Sequence, residues 1–156
     1  MKIQITKMTQ DDLDIIKDIL QTDFDDFWNY NILKKELENE TSIYVVAKNS
    51  KNEIIGFAGI QYVLEEGDIT NIVVKKQERN SGVGTKLLQS LINISIKKEI
   101  KCITLEVNEN NQNAIKLYEK FRFIEIGRRK KYYNGKDTAI IMKLDLWYIK
   151  VNKKMP

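Results

Sequence analysis

Hydrophobic and polar positions alternate along this chain in short, distinct blocks. Ile3 and Ile5 sit between polar neighbours and predict a short strand over residues 2–6. Thr9 reads as a helix N-cap, with Asp11 and Asp12 in the first turn and Leu13, Ile16 and Leu20 following at helical spacing. A second helix is predicted over residues 24–38, with Phe24, Phe27, Trp28, Leu33 and Leu37 facing inward. Residues 42–48 and 54–63 read as strands, and the turn Asn49-Ser50-Lys51-Asn52 makes them an antiparallel hairpin. Another strand covers residues 68–75 and contains Ile72-Val73-Val74. Beyond a polar, glycine-containing loop, residues 83–98 carry Val83, Leu87, Leu88, Leu91, Ile94 and Ile96 in a helical pattern. Residues 101–107 alternate as a strand and residues 111–121 form a helix. Strands over 123–133 and 137–146 flank Asn134-Gly135, a strong hairpin signal. The order β-α-α-β-β-β-α-β-α-β-β predicts an α/β sheet, part antiparallel and part parallel.

Composition narrows the chemistry more than the fold. A chain of 156 residues fits one domain, and no Gly/Ser-rich linker or repeat divides it. Hydrophobic residues at 42% and charged residues at 31% are a globular balance. The net charge of +4 is too small by itself to imply nucleic acid. With no histidine, Ser-His and Cys-His nucleophile pairs and His-ligated metals are excluded. The single Cys102 forbids an intrachain disulfide and a thiolate-cluster zinc site. Acid–base chemistry therefore falls to Asp, Glu, Tyr or Lys. No apolar run approaches the ~20 residues of a membrane span, and Met1-Lys2-Ile3-Gln4-Ile5 does not open a secretory signal, so a cytoplasmic protein without a membrane partner is expected.

Three places carry candidate chemistry. The first is Arg79-Asn80-Ser81-Gly82-Val83-Gly84-Thr85, between a strand and an amphipathic helix. A helix start presents free N–H groups and the positive end of its dipole, and glycines let backbone approach an anion. With Lys75, Lys76 and Arg79 nearby, the segment suits a pyrophosphate; alternatively it is a turn with solvated lysines. It is neither a Walker loop nor the dinucleotide fingerprint, because Leu87 stands where the third glycine belongs.

The second is Glu106, which shares one strand face with Cys102 and Thr104 while Ile103, Leu105 and Val107 share the other. It is either a site carboxylate at a strand end or a solvated one. The third is the helix after it. Asn110 or Asn111 caps it, and Asn111 and Tyr118, seven residues apart, lie within ~20° of one another around its axis.

Taken together, Asn71-Ile72-Val73-Val74, Arg-x-x-Gly-x-Gly, Leu-Glu-Val and Asn-x-x-Ala-x-x-Leu-Tyr-x-x-x-x-Phe resemble the GNAT family of acetyl-CoA-dependent N-acetyltransferases. Gly127 to Tyr133 and Asp137 to Met142 are similar to its ribosomal-protein alanine N-acetyltransferase branch, as is the Phe27-Trp28 pair. The resemblance spans roughly residues 3–145. It implies the GNAT acyl-CoA N-acyltransferase fold, a central mixed, mostly antiparallel sheet with helices on both faces. It makes residues 1–146 one acetyltransferase domain and 147–156 a basic extension. It implies acetyl-CoA as co-substrate, held by Ile72, Val73, Val74, Arg79, Asn80, Ser81, Gly82, Val83, Gly84, Thr85 and Asn111, and no metal. Glu106 becomes the general base and Tyr118 the general acid, with the Tyr132-Tyr133 hairpin bordering the acceptor groove. Lys75-Lys76 replaces a common Asp-Pro, and Phe121-Arg122-Phe123 lacks the usual Gly.

The acceptor implied is a protein or peptide N-terminus, plausibly ribosomal. An α-amine of pKa ~8 suits a carboxylate base better than a lysine of ~10.4. A small amine, such as a polyamine or amino sugar, is the alternative within the family. A basic RNA-binding module built on Arg128-Arg129-Lys130-Lys131 and Lys150, Lys153 and Lys154 is a different class, which the near balance of charges disfavours; no direct nucleic-acid partner is expected.

Overall fold

Thr9 starts the first helix with a capping box. Its hydroxyl accepts from Asp12 N at 3.1 Å, and the Asp12 carboxylate accepts from Thr9 N at 2.9 Å. In the computed structural model, which describes residues 2–24, 29–147 and 149, helix α1 runs Gln10–Ile16. A 3-10 turn, Lys17–Ile19, leads to α2, Leu20–Asp23. Helix α3, Tyr30–Glu38, begins later than the expected residue 24, because Asn29 caps it by accepting from Ile32 N at 2.9 Å. Phe24 is extended and fully buried, 5.6 Å from the Phe57 ring. Phe27 and Trp28 lie outside the described residues.

The remaining elements follow the predicted periodicities closely. They are β1 (Gln4–Lys7), β2 (Ser42–Lys48), β3 (Ile54–Val63), β4 (Glu66–Val74), α4 (Val83–Lys97), β5 (Cys102–Asn108), α5 (Gln112–Lys120), β6 (Ile124–Tyr133) and β7 (Asp137–Asp145). The strand order is β1-β2-β3-β4-β5-β7-β6. The chain forms two compact units, Met1–Tyr62 with Thr70–Ile94, and Val63–Ile69 with Ser95–Pro156.

In the first unit, β1 with β2 and β2 with β3 are antiparallel. The β2–β3 turn forms because Asn49 Oδ1 accepts from Lys51 N and Glu53 N, at 2.9 and 3.0 Å, while Asn52 takes φ 64°. Tyr44 and Val46 join Leu13, Ile16, Leu20, Phe24 and Leu33 in one core. Ile43 and Val45, on the opposite face of the same strand, line a recess with Ser90 and Ile94 of α4. Helices therefore cover both faces of this unit's strands.

In the second unit, β4 pairs with β5 in parallel over three positions, Glu66–Cys102, Gly67–Ile103 and Asp68–Thr104. Strand β5 pairs antiparallel with β7 along its whole length, and β6 with β7. Ile103, Leu105 and Val107 are buried as their alternation requires, together with Ile140, Met142 and Leu144. The hairpin tip follows its sequence signal, since Asn134 and Gly135 take φ 51° and 69°. Among the described residues no helix is long and apolar enough to cross a membrane. No group of three or more His, Cys, Asp or Glu side chains among them is placed to hold a metal ion.

Candidate active site

The first unit carries the candidate anion loop. After β4 a 3-10 turn, Lys76–Glu78, is closed by Glu78 N donating to Lys75 O at 2.8 Å. Arg79 Nε then donates back to Val74 O at 3.2 Å, which fastens the loop to the strand end. The Ser81 hydroxyl donates to Glu78 O. Asn80 and Gly82 both take positive φ, 64° and 88°. Val83 then opens α4, where Lys86 N donates to Gly82 O at 3.2 Å. A Cβ on Gly82 would meet nothing within 4 Å, so glycine serves there for its backbone angle, not for want of room. The open space in front of a helix start, lined by N–H groups, suits a phosphate. Lys75 is partly engaged by Asp23, at 3.8 Å.

A residue that sequence reasoning missed holds this loop in place. A Cβ on Gly56 of β3 would stand 3.0 Å from Val73 O, 3.0 Å from Val83 Cγ1 and 3.1 Å from Leu87 Cδ1. The glycine lets the first turn of α4 close onto the strand just behind Val73 and Val74. Its only sequence signal was a glycine inside an apolar strand, which marks close backbone approach.

The second unit carries both Glu106, on β5, and Tyr118, on α5. The Glu106 side chain is 29% exposed and lies 3.4 Å from Arg129 Nη2. The Arg129 guanidinium lies 5.5 Å from the centre of the Tyr132 ring, which meets Tyr133 edge-on at 5.1 Å. Burial first, and then the negative charge of Glu106, raise the Tyr133 hydroxyl above its ordinary pKa. Tyr118 packs against Phe123 with ring centres 5.8 Å apart. Burial, reinforced by Tyr133, pushes the Tyr118 hydroxyl up to about 12. Tyr133 therefore lies within electrostatic reach of both Glu106 and Tyr118.

Asn111, not Asn110, caps α5; its Oδ1 accepts from Ala114 N at 3.2 Å. Cys102 shares the Glu106 face but is buried, and its thiol is raised mainly by that burial, the signature of an inert cysteine. Arg128 pairs with Glu125 at 2.9 Å. Both arginines of the basic run are therefore engaged by carboxylates, while Lys150, Lys153 and Lys154 lie outside the described residues.

The fold and these motifs define an acetyltransferase. The chain matches the profile of the Acetyltransferase (GNAT) family over residues 10–123, and it belongs to that family. A Bacillus subtilis (strain 168) relative is 32% identical over 143 residues, 90% of this chain and 94% of its own length. The ribosomal protein bS18-alanine N-acetyltransferase of Haemophilus influenzae is 37% identical over 120 residues, covering 74% of this chain and 80% of that one. The crystal structure of the ribosomal-protein-S18-alanine N-acetyltransferase of Escherichia coli superposes with a TM-score of 0.84 at 30% identity, covering 93% of this chain and 94% of that one. The chain is accordingly an acetyl-CoA-dependent N-acetyltransferase.

Proposed function

We propose that this enzyme acetylates the α-amine of a protein N-terminus, an S18-type N-terminal alanine on a ribosomal protein, in the cytoplasm. The likeness to the Haemophilus influenzae and Escherichia coli enzymes, both named for that acceptor, supports the choice. Residues 1–146 act as one catalytic domain and 147–156 as a basic extension. Acetyl-CoA binds along Ile72, Val73 and Val74, with its pyrophosphate on the loop from Arg79 to Thr85, and Asn111 steadies its arm. The left-handed backbone at Asn80 and Gly82, and the open space beyond Gly82, suit that group.

The chemistry is direct transfer. Glu106 takes a proton from the ammonium, through a water or directly, and the free amine attacks the thioester carbonyl. Backbone N–H groups near Val74 receive the developing oxyanion charge. As the C–S bond breaks, Tyr118 donates its hydroxyl proton to the departing sulfur, and the second proton that the nitrogen loses as the amide forms restores the phenol. The Tyr118 phenol carries its proton at neutral pH, as a donor must. The observation that supports the reading is an accessible carboxylate, Glu106 on β5, held beside a cation, with the Tyr118 phenol on the helix that follows.

The test is an acetylation array of N-terminal peptides, internal-lysine peptides, spermidine and glucosamine. Strong transfer to N-terminal Ala peptides is expected. Preferential transfer to spermidine or glucosamine would replace this reading with the small-amine one.

A further inference from the structure

Asp68 lies directly across the parallel ladder from Thr104, and Thr104 Oγ1 donates to its carboxylate at 3.2 Å. Thr104 and Glu106 are alternate residues of β5 and share a face, so Asp68 and Glu106 stand on one surface, with their strand positions about 8 Å apart on the diagonal. Asp68 is open to solvent by surface area, yet crowding by protein raises its carboxyl above the usual range, against the opposing bond from Thr104 and with a smaller upward push from the negative charge of Glu106. It is thus accessible, and close enough to Glu106 for the two charges to act together. This face already attracts a cation, since the Arg129 guanidinium stands against Glu106. That pairing offsets much of the Glu106 charge, and Asp68 adds a second carboxylate to the face, which Lys143, opposite Thr104 on β7, also shares.

We propose that Asp68 is a specificity-determining residue for the acceptor: its carboxylate, anchored by the Thr104 hydroxyl on the face of Glu106, draws the substrate's ammonium group toward the base. The inference rests on the N-terminal-amine reading above. At neutral pH an α-amine of pKa ~8 arrives mostly protonated. For an ammonium seated at Glu106, a carboxylate about 8 Å away in a partly screened setting strengthens binding by roughly 5-fold. Asp68 does no bond-making. It favours charged amines over neutral groups at the mouth of the reaction, which sequence motifs did not single out.

The experiment compares wild type with Asp68→Asn, whose amide oxygen can still accept from Thr104. The probes are an N-terminal alanine peptide and its desamino analogue, which lacks only the amine. Asp68→Asn should raise KM for the alanine peptide about 5-fold with kcat and the KM for acetyl-CoA within 2-fold, and it should leave Ki for the desamino peptide unchanged. The wild-type KM should climb with salt more steeply than that of the variant. Equal weakening of both peptides, or an unchanged KM, overturns the proposal. Thr104→Val supplies a check that keeps the Asp68 charge; it should move KM in the same direction by a smaller factor, and no change there together with an unchanged Asp68→Asn value overturns it as well. A wild type that does not acetylate the alanine peptide overturns the acceptor reading, and this inference with it.

Discussion

Arg129 Nη2 stands 3.4 Å from Glu106 Oε1, although the two residues belong to β6 and β5 and strand β7 runs between them. Ile141 lies opposite Glu106 in one ladder and opposite Gly127 in the other. The guanidinium reaches back over β7 to the carboxylate, spanning about 10 Å of sheet. An arginine on a solvated strand thereby becomes the neighbour of the proposed base.

Glu106→Gln keeps the side chain's shape and loses its ability to take a proton. The expected outcome is a fall in kcat/KM of ~10²–10⁴-fold toward an N-terminal alanine peptide. The deficit should shrink as pH rises through the amine's own pKa of ~8, where less amine needs a base. Parallel pH–rate profiles for wild type and variant would return Glu106 to being an ordinary strand carboxylate.

Tyr118→Phe removes one hydroxyl and keeps the packing against Phe123. We expect kcat to fall ~10-fold or more with acetyl-CoA affinity nearly unchanged, because the lost group acts in the leaving-group step. Titration calorimetry with acetyl-CoA and a melting curve, run beside the kinetics, separate this from unfolding. A variant with full kcat removes Tyr118 from the chemistry.

Gly56→Ala would set a methyl group 3.0 Å from the backbone oxygen of Val73 and against Val83 and Leu87. The carbonyl cannot yield as a side-chain tip would, so the start of α4 must shift. A destabilisation of about 1–3 kcal/mol is expected, with a larger proportional loss of acetyl-CoA affinity. Urea unfolding and calorimetry check it. Unchanged affinity for the cofactor would mean that this close approach does not set the loop.

Gly59→Ala should be the harsher change in the same strand, because its Cβ would fall 2.2 Å from the Tyr44 ring. The ring is buried, so clearing the methyl group means displacing its packed neighbours. Failure to accumulate as soluble protein, or a large drop in urea midpoint, is expected. Combining it with Tyr44→Val should recover much of the loss, a non-additivity that a double-mutant cycle reads directly.

Tyr44 also sets an alkaline limit on stability. Burial pushes its hydroxyl up to about 12 from an ordinary 10.0, against a smaller opposing effect of its bond to Thr70. The folded chain therefore holds this proton more tightly than the unfolded chain does. The stabilisation is complete below about pH 10 and is lost as pH rises through about 12. Tyr118 contributes with the same sign. Urea midpoints measured from about pH 9 to about pH 11 should fall for wild type and fall less steeply for Tyr44→Phe. Identical slopes would show that the hydroxyl titrates normally.

Much of this was legible along the chain because it is local. Thr9 with Asp12, Asn49 with its turn and Asn134-Gly135 each make their structure from bonds or backbone angles within a few residues. The alternation of Ile103, Leu105 and Val107 set the buried face of β5 and so the opposite face of Glu106. The order of Asn71-Ile72-Val73-Val74, the glycine loop and Tyr118 carried the family. Helix α3 was misplaced at its start because apolar Phe24 extended the pattern, whereas the cap at Asn29 decided it.

Strand neighbours are another matter, since period-two alternation says which face a residue takes and nothing about who lies beside it. Only the assembled ladders put β7 between β5 and β6, and with it Arg129 against Glu106. Only the parallel register put Asp68 beside Thr104, 36 residues away. The tight approach at Gly56 depends on how a helix 27 residues later settles on its strand, a distance set by packing and invisible to any local rule.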